Sequence, residues 1–284
     1  QRVLRKYTTP HGAHAIGSVG EVNQQQIDAD SYYSRGDYKG QSGVEKEYET
    51  YLRGEKGVEI LLRDAHGRIQ GVYKNGERNK APIAGKNLTM AIDMGLQEYG
   101  EQLMIKKLGS IVAIEPSTGE ILALISSPSY DPHLLVGRER SKNYNALLKD
   151  PFKPLFDRPL MAMYPPGSTF KLVNGLIYQQ EGVITEDTRF SCSMGYYYSR
   201  TRKLGCHPHP NNLDLRESVQ HSCNAYYCHG LKGLLDSPPS GISTTESYNH
   251  WRNHVLSMGF GKKLGVDFPN EKGGLILESN RYDR

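Results

Sequence analysis

The sequence lacks any apolar run approaching the roughly 18 residues that cross a bilayer. It opens at Gln1 without the charged, apolar and small-residue succession of a signal peptide. A soluble piece cut from a longer chain is therefore expected. Blocks of like charge are missing too: 35 Lys and Arg are interspersed with 31 Asp and Glu, for a net charge of +4. This argues against the basic stripe of a nucleic-acid binder and leaves charge uninformative about other partners. No internal repeat or low-complexity tract is present, which excludes a repeat array. Tryptophan is reduced to one residue against 19 tyrosines, and the tyrosines follow no periodic stripe, so packing is their default use. Cysteine is scarce, four in 284 residues, yet all four fall between Cys192 and Cys228. What is present, 37% hydrophobic and 23% charged, suffices for one sizeable core and a smaller unit.

Residues 1 to about 40 mix polar runs, glycine and short apolar pieces without helical period, and read as strand and loop. From Ser42, the spacing of Val44, Tyr48, Tyr51 and Leu52 predicts a short amphipathic helix ending at Gly54. Residues 59–63 and 68–73 flank Ala65-His66-Gly67 as a hairpin, and the polar, Gly- and Pro-containing residues 74–86 read as a linker. A domain boundary is expected near residue 86. Beyond it, Asp93 is placed to cap a helix whose face carries Leu96, Tyr99, Leu103 and Met104. Two β-rich runs, 110–114 and 121–126, then surround Pro116-Ser117-Thr118-Gly119. Asp214-Leu215-Arg216-Glu217 has capping-box spacing and starts a helix that runs to Ser222. The class expected is mixed, α+β with α/β order: a β-rich domain over residues 1–86, then a helix, a hairpin and further helices over 87–284.

Chemistry concentrates at Tyr164-Pro165-Pro166-Gly167-Ser168-Thr169-Phe170-Lys171. A stiff Pro-Pro-Gly approach leads into a helix that opens on a serine, with a lysine one turn later on the same face. Serine is a weak nucleophile at neutral pH and needs a base beside it. Lysine serves if burial or a cationic neighbour keeps it neutral. Ser222-Cys223-Asn224 follows, continuing into Ala225-Tyr226-Tyr227, whereas the rival tripeptides Ser141-Lys142-Asn143 and Ser247-Tyr248-Asn249 lie in less suitable surroundings.

Ser-x-x-Lys followed by Ser-x-Asn resembles the penicillin-binding proteins and serine β-lactamases, whose third motif is Lys-Thr-Gly. Gly17-Ser18-Val19-Gly20-Glu21, Gly43-Val44-Glu45-Lys46-Glu47-Tyr48-Glu49 and residues 127–132 extend the resemblance to the two-domain class B penicillin-binding proteins, and within them to the elongation branch called penicillin-binding protein 2. The resemblance implies a non-catalytic pedestal, or dimerisation-like domain, followed by a transpeptidase domain that cross-links peptidoglycan stem peptides through a serine acyl-enzyme and is a target of β-lactams. It implies Ser168 as nucleophile, Lys171 as base, Ser222 as proton relay, and Asn224 as a ligand of substrate backbone or of Lys171. It also implies periplasmic placement, an N-terminal inner-membrane anchor and elongation-complex partners on the pedestal. No catalytic cofactor is called for. The sequence departs from the family in having no Lys-Thr-Gly after Asn224; Lys272-Gly273-Gly274 lacks the hydroxyl residue. A transpeptidase domain incomplete at its C-terminal side, with little activity by itself, is the expectation. The rivals are a β-lactamase or penicillin-sensing receptor domain, which has no need of 86 pedestal-like residues, and a non-enzymatic cell-wall scaffold.

The cysteines suggest a second centre. Cys206-His207-Pro208-His209 offers Cys-x-x-His spacing, with Cys192 fourteen residues before Cys206 and Cys223 fourteen after His209. Cys192, Cys206, His209 and Cys223 form a Cys3His set suited to structural zinc, with His207 the alternative to His209. Two disulfides, or buried reduced thiols, are the other readings.

Overall fold

The computed structural model describes residues 5–236, 238 and 241–282. They fall into two compact units. One runs up to Ala162 and takes in Gly265–Glu271; the other runs from Met163 to Leu264 and resumes at Lys272.

The first unit begins with α1 (Ala13–Ile16), β1 (Ser18–Glu21), α2 (Gln24–Ala29) and β2 (Tyr38–Ser42). β1 and β2 pair antiparallel, Val19 opposite Gly40 and Glu21 opposite Tyr38. Helix α2 departs from the strand-and-loop expectation. Its start was legible in Asn23-x-x-Gln26, where each side chain accepts from the other's backbone N–H. The helix expected from Ser42 is split into α3 (Gly43–Glu47) and α4 (Glu49–Leu52), because Tyr48 leaves helical backbone at φ −99°, ψ 20°. The buried Glu49 carboxylate accepts from Tyr33 Oη and from the Gly40 N–H, both at 2.7 Å, and so ties α4 to β2. The predicted hairpin forms as β3 (Leu61–Arg63) and β4 (Ile69–Val72).

Asp93 caps α5 (Met94–Leu103), accepting from the Leu96 N–H at 3.0 Å. The helix packs on the hairpin of β5 (Gly109–Ile114) and β6 (Ile121–Ser127) with a face turned by roughly a quarter of a circle from the one its periodicity suggested. Leu96, Tyr99 and Leu103 are 39, 58 and 45% exposed, whereas Gln97 and Gly100 are buried. Gly100 approaches Ile125 so closely that a Cβ would stand 2.7 Å from its Cδ1. Gln97 donates to the Leu124 carbonyl at 3.0 Å and accepts from the Leu124 N–H at 2.8 Å, filling the role of a neighbouring strand. The unit also holds α6 (Arg140–Lys149) and α7 (Arg158–Met161), and its core joins Ala15, Val44, Leu124, Leu160 and Phe268.

The second unit contains α8 (Phe170–Gln180), the hairpin β7 (Gly195–Tyr197) and β8 (Lys203–Gly205), and the helices α9 (Leu215–Gln220), α10 (Asn224–Asp236) and α11 (Thr244–Ser257). The β7–β8 pair, with Tyr196 opposite Leu204, occupies a stretch the sequence presented as irregular loop. Asp214 and Glu217 form the expected capping box at α9. The core is rich in tyrosine, and its hydroxyls are satisfied: Tyr178 donates to the Tyr227 carbonyl at 3.3 Å and Tyr226 to the Thr188 carbonyl at 3.1 Å.

Candidate active site and thiol cluster

A single 3-10 turn, Gly167–Thr169, delivers the chain from Pro165-Pro166 into α8. Gly167 has φ +61° with nothing within 4 Å of where a Cβ would stand, so the backbone angle rather than space demands glycine. Ser168 lies exposed on this turn, and among the described residues its hydroxyl makes no hydrogen bond. Catalytic hydrogen bonds are commonly loose without substrate.

Lys171, on the first turn of α8, reaches the corner between α9 and α10. Its Nζ donates to the Ser222 carbonyl at 2.6 Å and to Ser222 Oγ at 2.9 Å. A neutral amine making both contacts retains one lone pair. Burial pulls the Lys171 pKa below its ordinary value, opposed by the negative charge that Cys206, Cys223 and Cys228 carry when ionised. Ser222 takes φ +50°, a left-handed conformation disfavoured for a residue with a Cβ. Two bonds hold it there, Ser222 N–H to the Val219 carbonyl at 3.1 Å and Cys223 N–H to the Ser218 carbonyl at 3.0 Å. The two rival tripeptides stand elsewhere: Lys142 pairs with Glu139 on α6, and Ser247 is buried on α11, donating to the Leu234 carbonyl. Asn224 is not joined to Lys171. Its amide donates to the Gly205 carbonyl at 2.7 Å, at the end of β8.

That bond leads to the thiols. The ligand atoms of Cys192, Cys206, His209 and Cys223 all lie within 4.8 Å of one another, and all four cysteines are unpaired. The Ala225 N–H donates to Cys206 Sγ and the Tyr226 N–H to Cys223 Sγ, each at 3.4 Å. Burial opposes ionisation of Cys206, yet the Ala225 N–H, His209 and Cys192 bring its pKa below the usual thiol value. Burial pushes that of Cys223 up. His209 Nδ1 lies 2.6 Å from the Pro210 carbonyl, which in the neutral ring holds the proton there and leaves the buried Nε2 lone pair turned toward the Cys206 thiol. A metal-ligating histidine has this arrangement, its second ring nitrogen donating to a carbonyl. The residues present therefore fit a tetrahedral Cys3His ion. Two residues of the same Cys- and His-rich stretch that the motif reading left without a role also lie here: Cys228, close enough to interact with Lys171, and His221, which stacks on His209 at 6.0 Å. The Cys228 position, one helical turn past Asn224, was the available signal.

Comparison with known proteins agrees in both halves. The family described as penicillin-binding protein dimerisation domain matches residues 1–90, and that described as penicillin binding protein transpeptidase domain matches residues 109–284. The peptidoglycan D,D-transpeptidase MrdA of Acinetobacter baumannii is 35% identical over 279 residues, which cover 94% of this chain and 38% of that protein. The complex of PBP2 with MreC from Helicobacter pylori superposes with a TM-score of 0.82 at 26% identity, covering 99% of this chain and 51% of that one. Pseudomonas aeruginosa PBP2 in complex with WCK 5153 gives 0.72 at 28%, covering 98 and 55%. The chain thus spans roughly 40% to just over half the length of these relatives.

Proposed function

The chain belongs to the penicillin-binding protein transpeptidase family, and on that premise we propose that the whole protein is a peptidoglycan D,D-transpeptidase of cell elongation whose nucleophile is Ser168. The observation that carries the reading is Lys171 Nζ held on Ser222, from the helix that follows the Ser168 turn. Ser168 Oγ attacks the carbonyl of the penultimate D-alanine of a stem peptide, and neutral Lys171 takes its proton. The proton passes through Ser222 to the departing amine, terminal D-alanine leaves, and an ester on Ser168 remains. The amine of a second stem peptide attacks that ester, giving the cross-link and returning a proton to Ser168. The Ser168 N–H supplies one oxyanion donor, the kind of contact whose loss costs about 100- to 1000-fold in rate. Asn224, turned to Gly205 here, is assigned to the substrate backbone.

The boundary near residue 86 divides a pedestal domain, residues 1–86, from the transpeptidase domain. The end of the dimerisation match at residue 90 supports it. The pedestal is assigned to membrane-protein partners of the elongation machinery, supported by the H. pylori relative's complex with MreC. Periplasmic placement behind an inner-membrane anchor follows from the same reading. The Cys3His set is assigned to structural zinc, held by Cys192, Cys206, His209 and Cys223; bound there, the ion supplies a closed cross-link and no catalytic step. Incubating the full-length protein with a fluorescent penicillin tests the function. Covalent label on Ser168 by peptide mapping, lost in Ser168→Ala and at least 100-fold slower in Lys171→Met, is expected; label of equal amount in Ser168→Ala overturns the assignment.

A further inference from the structure

The first unit encloses a cavity of about 330 Å3 that none of the residues assigned to acyl transfer or to metal lines. This is the lower end of the range of small-molecule sites, and on the order of ten waters by bulk volume. Its walls include His14, Ser42, Tyr130, Arg140, Tyr144 and Asp157. Two of these carry opposite charges that the protein does not pair. Asp157 Oδ1 is buried without a hydrogen-bond partner among the described residues. The neighbouring Arg158 does not serve it, because that guanidinium donates to the carbonyls of Phe152, Lys153 and Phe156. Arg140 donates through Nε to the Val19 carbonyl at 3.2 Å, and among the described residues it forms no ion pair.

Tyr130 links the two. It is half-buried against His14, ring centroids 5.3 Å apart, and its hydroxyl interacts with Ser42, Asp157, Arg140 and Tyr144. A buried carboxylate left unpaired is costly, and a guanidinium on the same cavity wall offers no relief unless something spans the space between them. Water answers a lone oxygen. A cavity offering one anionic and one cationic group, with a tyrosine hydroxyl near both, matches a molecule that carries both charges itself.

We propose that this cavity binds a small zwitterion of the free amino-acid class, its ammonium on Asp157, its carboxylate on Arg140, and the Tyr130 hydroxyl between them. The site is independent of the acyl-transfer reading. Its walls come both from residues 14–43 and from residues 130–161, so an occupant bridges the pedestal-like sequence and the segment preceding Ser168 within one compact unit.

Isothermal titration of the chain with glycine, L-alanine and D-alanine tests this, against ethylamine as the ammonium alone and propionate as the carboxylate alone. At least one amino acid is expected to saturate in the micromolar to low-millimolar range, with both single-charge probes at least tenfold weaker. Asp157→Asn and Arg140→Gln are each expected to weaken binding at least tenfold without lowering the melting temperature. Tyr130→Phe, which keeps the ring, is expected to weaken it several-fold and serves if either charge variant misfolds. No saturable binding up to 20 mM, equal binding of ethylamine, or wild-type affinity in the folded variants overturns the proposal. So does a crystal structure grown with the amino acid in which the cavity holds water only.

Discussion

Burial lifts the Asp157 carboxyl from its ordinary value of 3.8 to about 6, the Leu160 backbone amide being the opposing influence. Between those two values the folded chain binds more protons than the unfolded one, so stability falls as pH rises through the window and stays reduced above it. Asp157→Asn removes that penalty. In the absence of ligand it is expected to raise stability at pH 7.5 by on the order of 1–3 kcal/mol, and by little or nothing at pH 3.5. Urea unfolding midpoints at the two pH values provide the measurement; an equal change at both, or a loss at pH 7.5, rules the account out. Nothing in Phe156-Asp157-Arg158 announced this carboxylate, because sequence does not say whether a neighbouring arginine will face an acid or, as Arg158 does, three carbonyls. The Lys171–Ser222 contact was legible at the same scale through the motif resemblance, which sets the Ser-x-x-Lys lysine beside the serine of Ser-x-Asn. Asn224 was legible as a position and not as a contact: its amide found the nearer carbonyl of Gly205.

Helix α5 shows why elements are easier to read than their orientation. Leu96, Tyr99 and Leu103 recur at helical spacing and correctly signalled a helix after Asp93, yet the face packed on β6 is that of Gln97 and Gly100. Periodicity registers apolar side chains. It cannot register a glutamine that substitutes for a strand by giving Leu124 both its donor and its acceptor. Substituting Gln97→Leu makes the helix more apolar and leaves the Leu124 N–H and carbonyl unpaired, with an expected loss of about 2–4 kcal/mol. Leu96→Gln, on the exposed face, is expected to change stability by no more than about 0.5 kcal/mol. Chemical denaturation of the two variants separates the packed face from the exposed one; the reverse order would mean that the hydrophobic face is the buried one after all. The β7–β8 hairpin escaped for the opposite reason, its three-residue strands being too short to show alternation.

At the scale of the whole chain, two divisions coexist. Family resemblance changes between residues 90 and 109, whereas compactness changes at Ala162. The reason lies in the first core, where Leu124 and Leu160, from the transpeptidase-like sequence, pack with Ala15 and Val44 from the pedestal-like one. Composition registers neither division, and motif order registers only the first. The second unit has its own core, in which Cys192 and Cys223 are members and also candidate ligands. A metal held there stabilises the residues it cross-links and not the other core, since binding free energy becomes folding free energy where the ligands are assembled. Protein purified without chelator is accordingly expected to contain about one zinc per chain by elemental analysis. Chelation by EDTA should then accelerate hydrogen exchange at the amides of α10 and of residues 203–206, including the Ala225 and Tyr226 N–H groups that face the sulfurs, while α5 and β6 keep their protection. Absence of zinc, with exchange unaltered by EDTA, would leave the four residues as a reduced thiol cluster. Equal loss of protection in both units would show that the cores unfold as one and that the compact division has no thermodynamic counterpart.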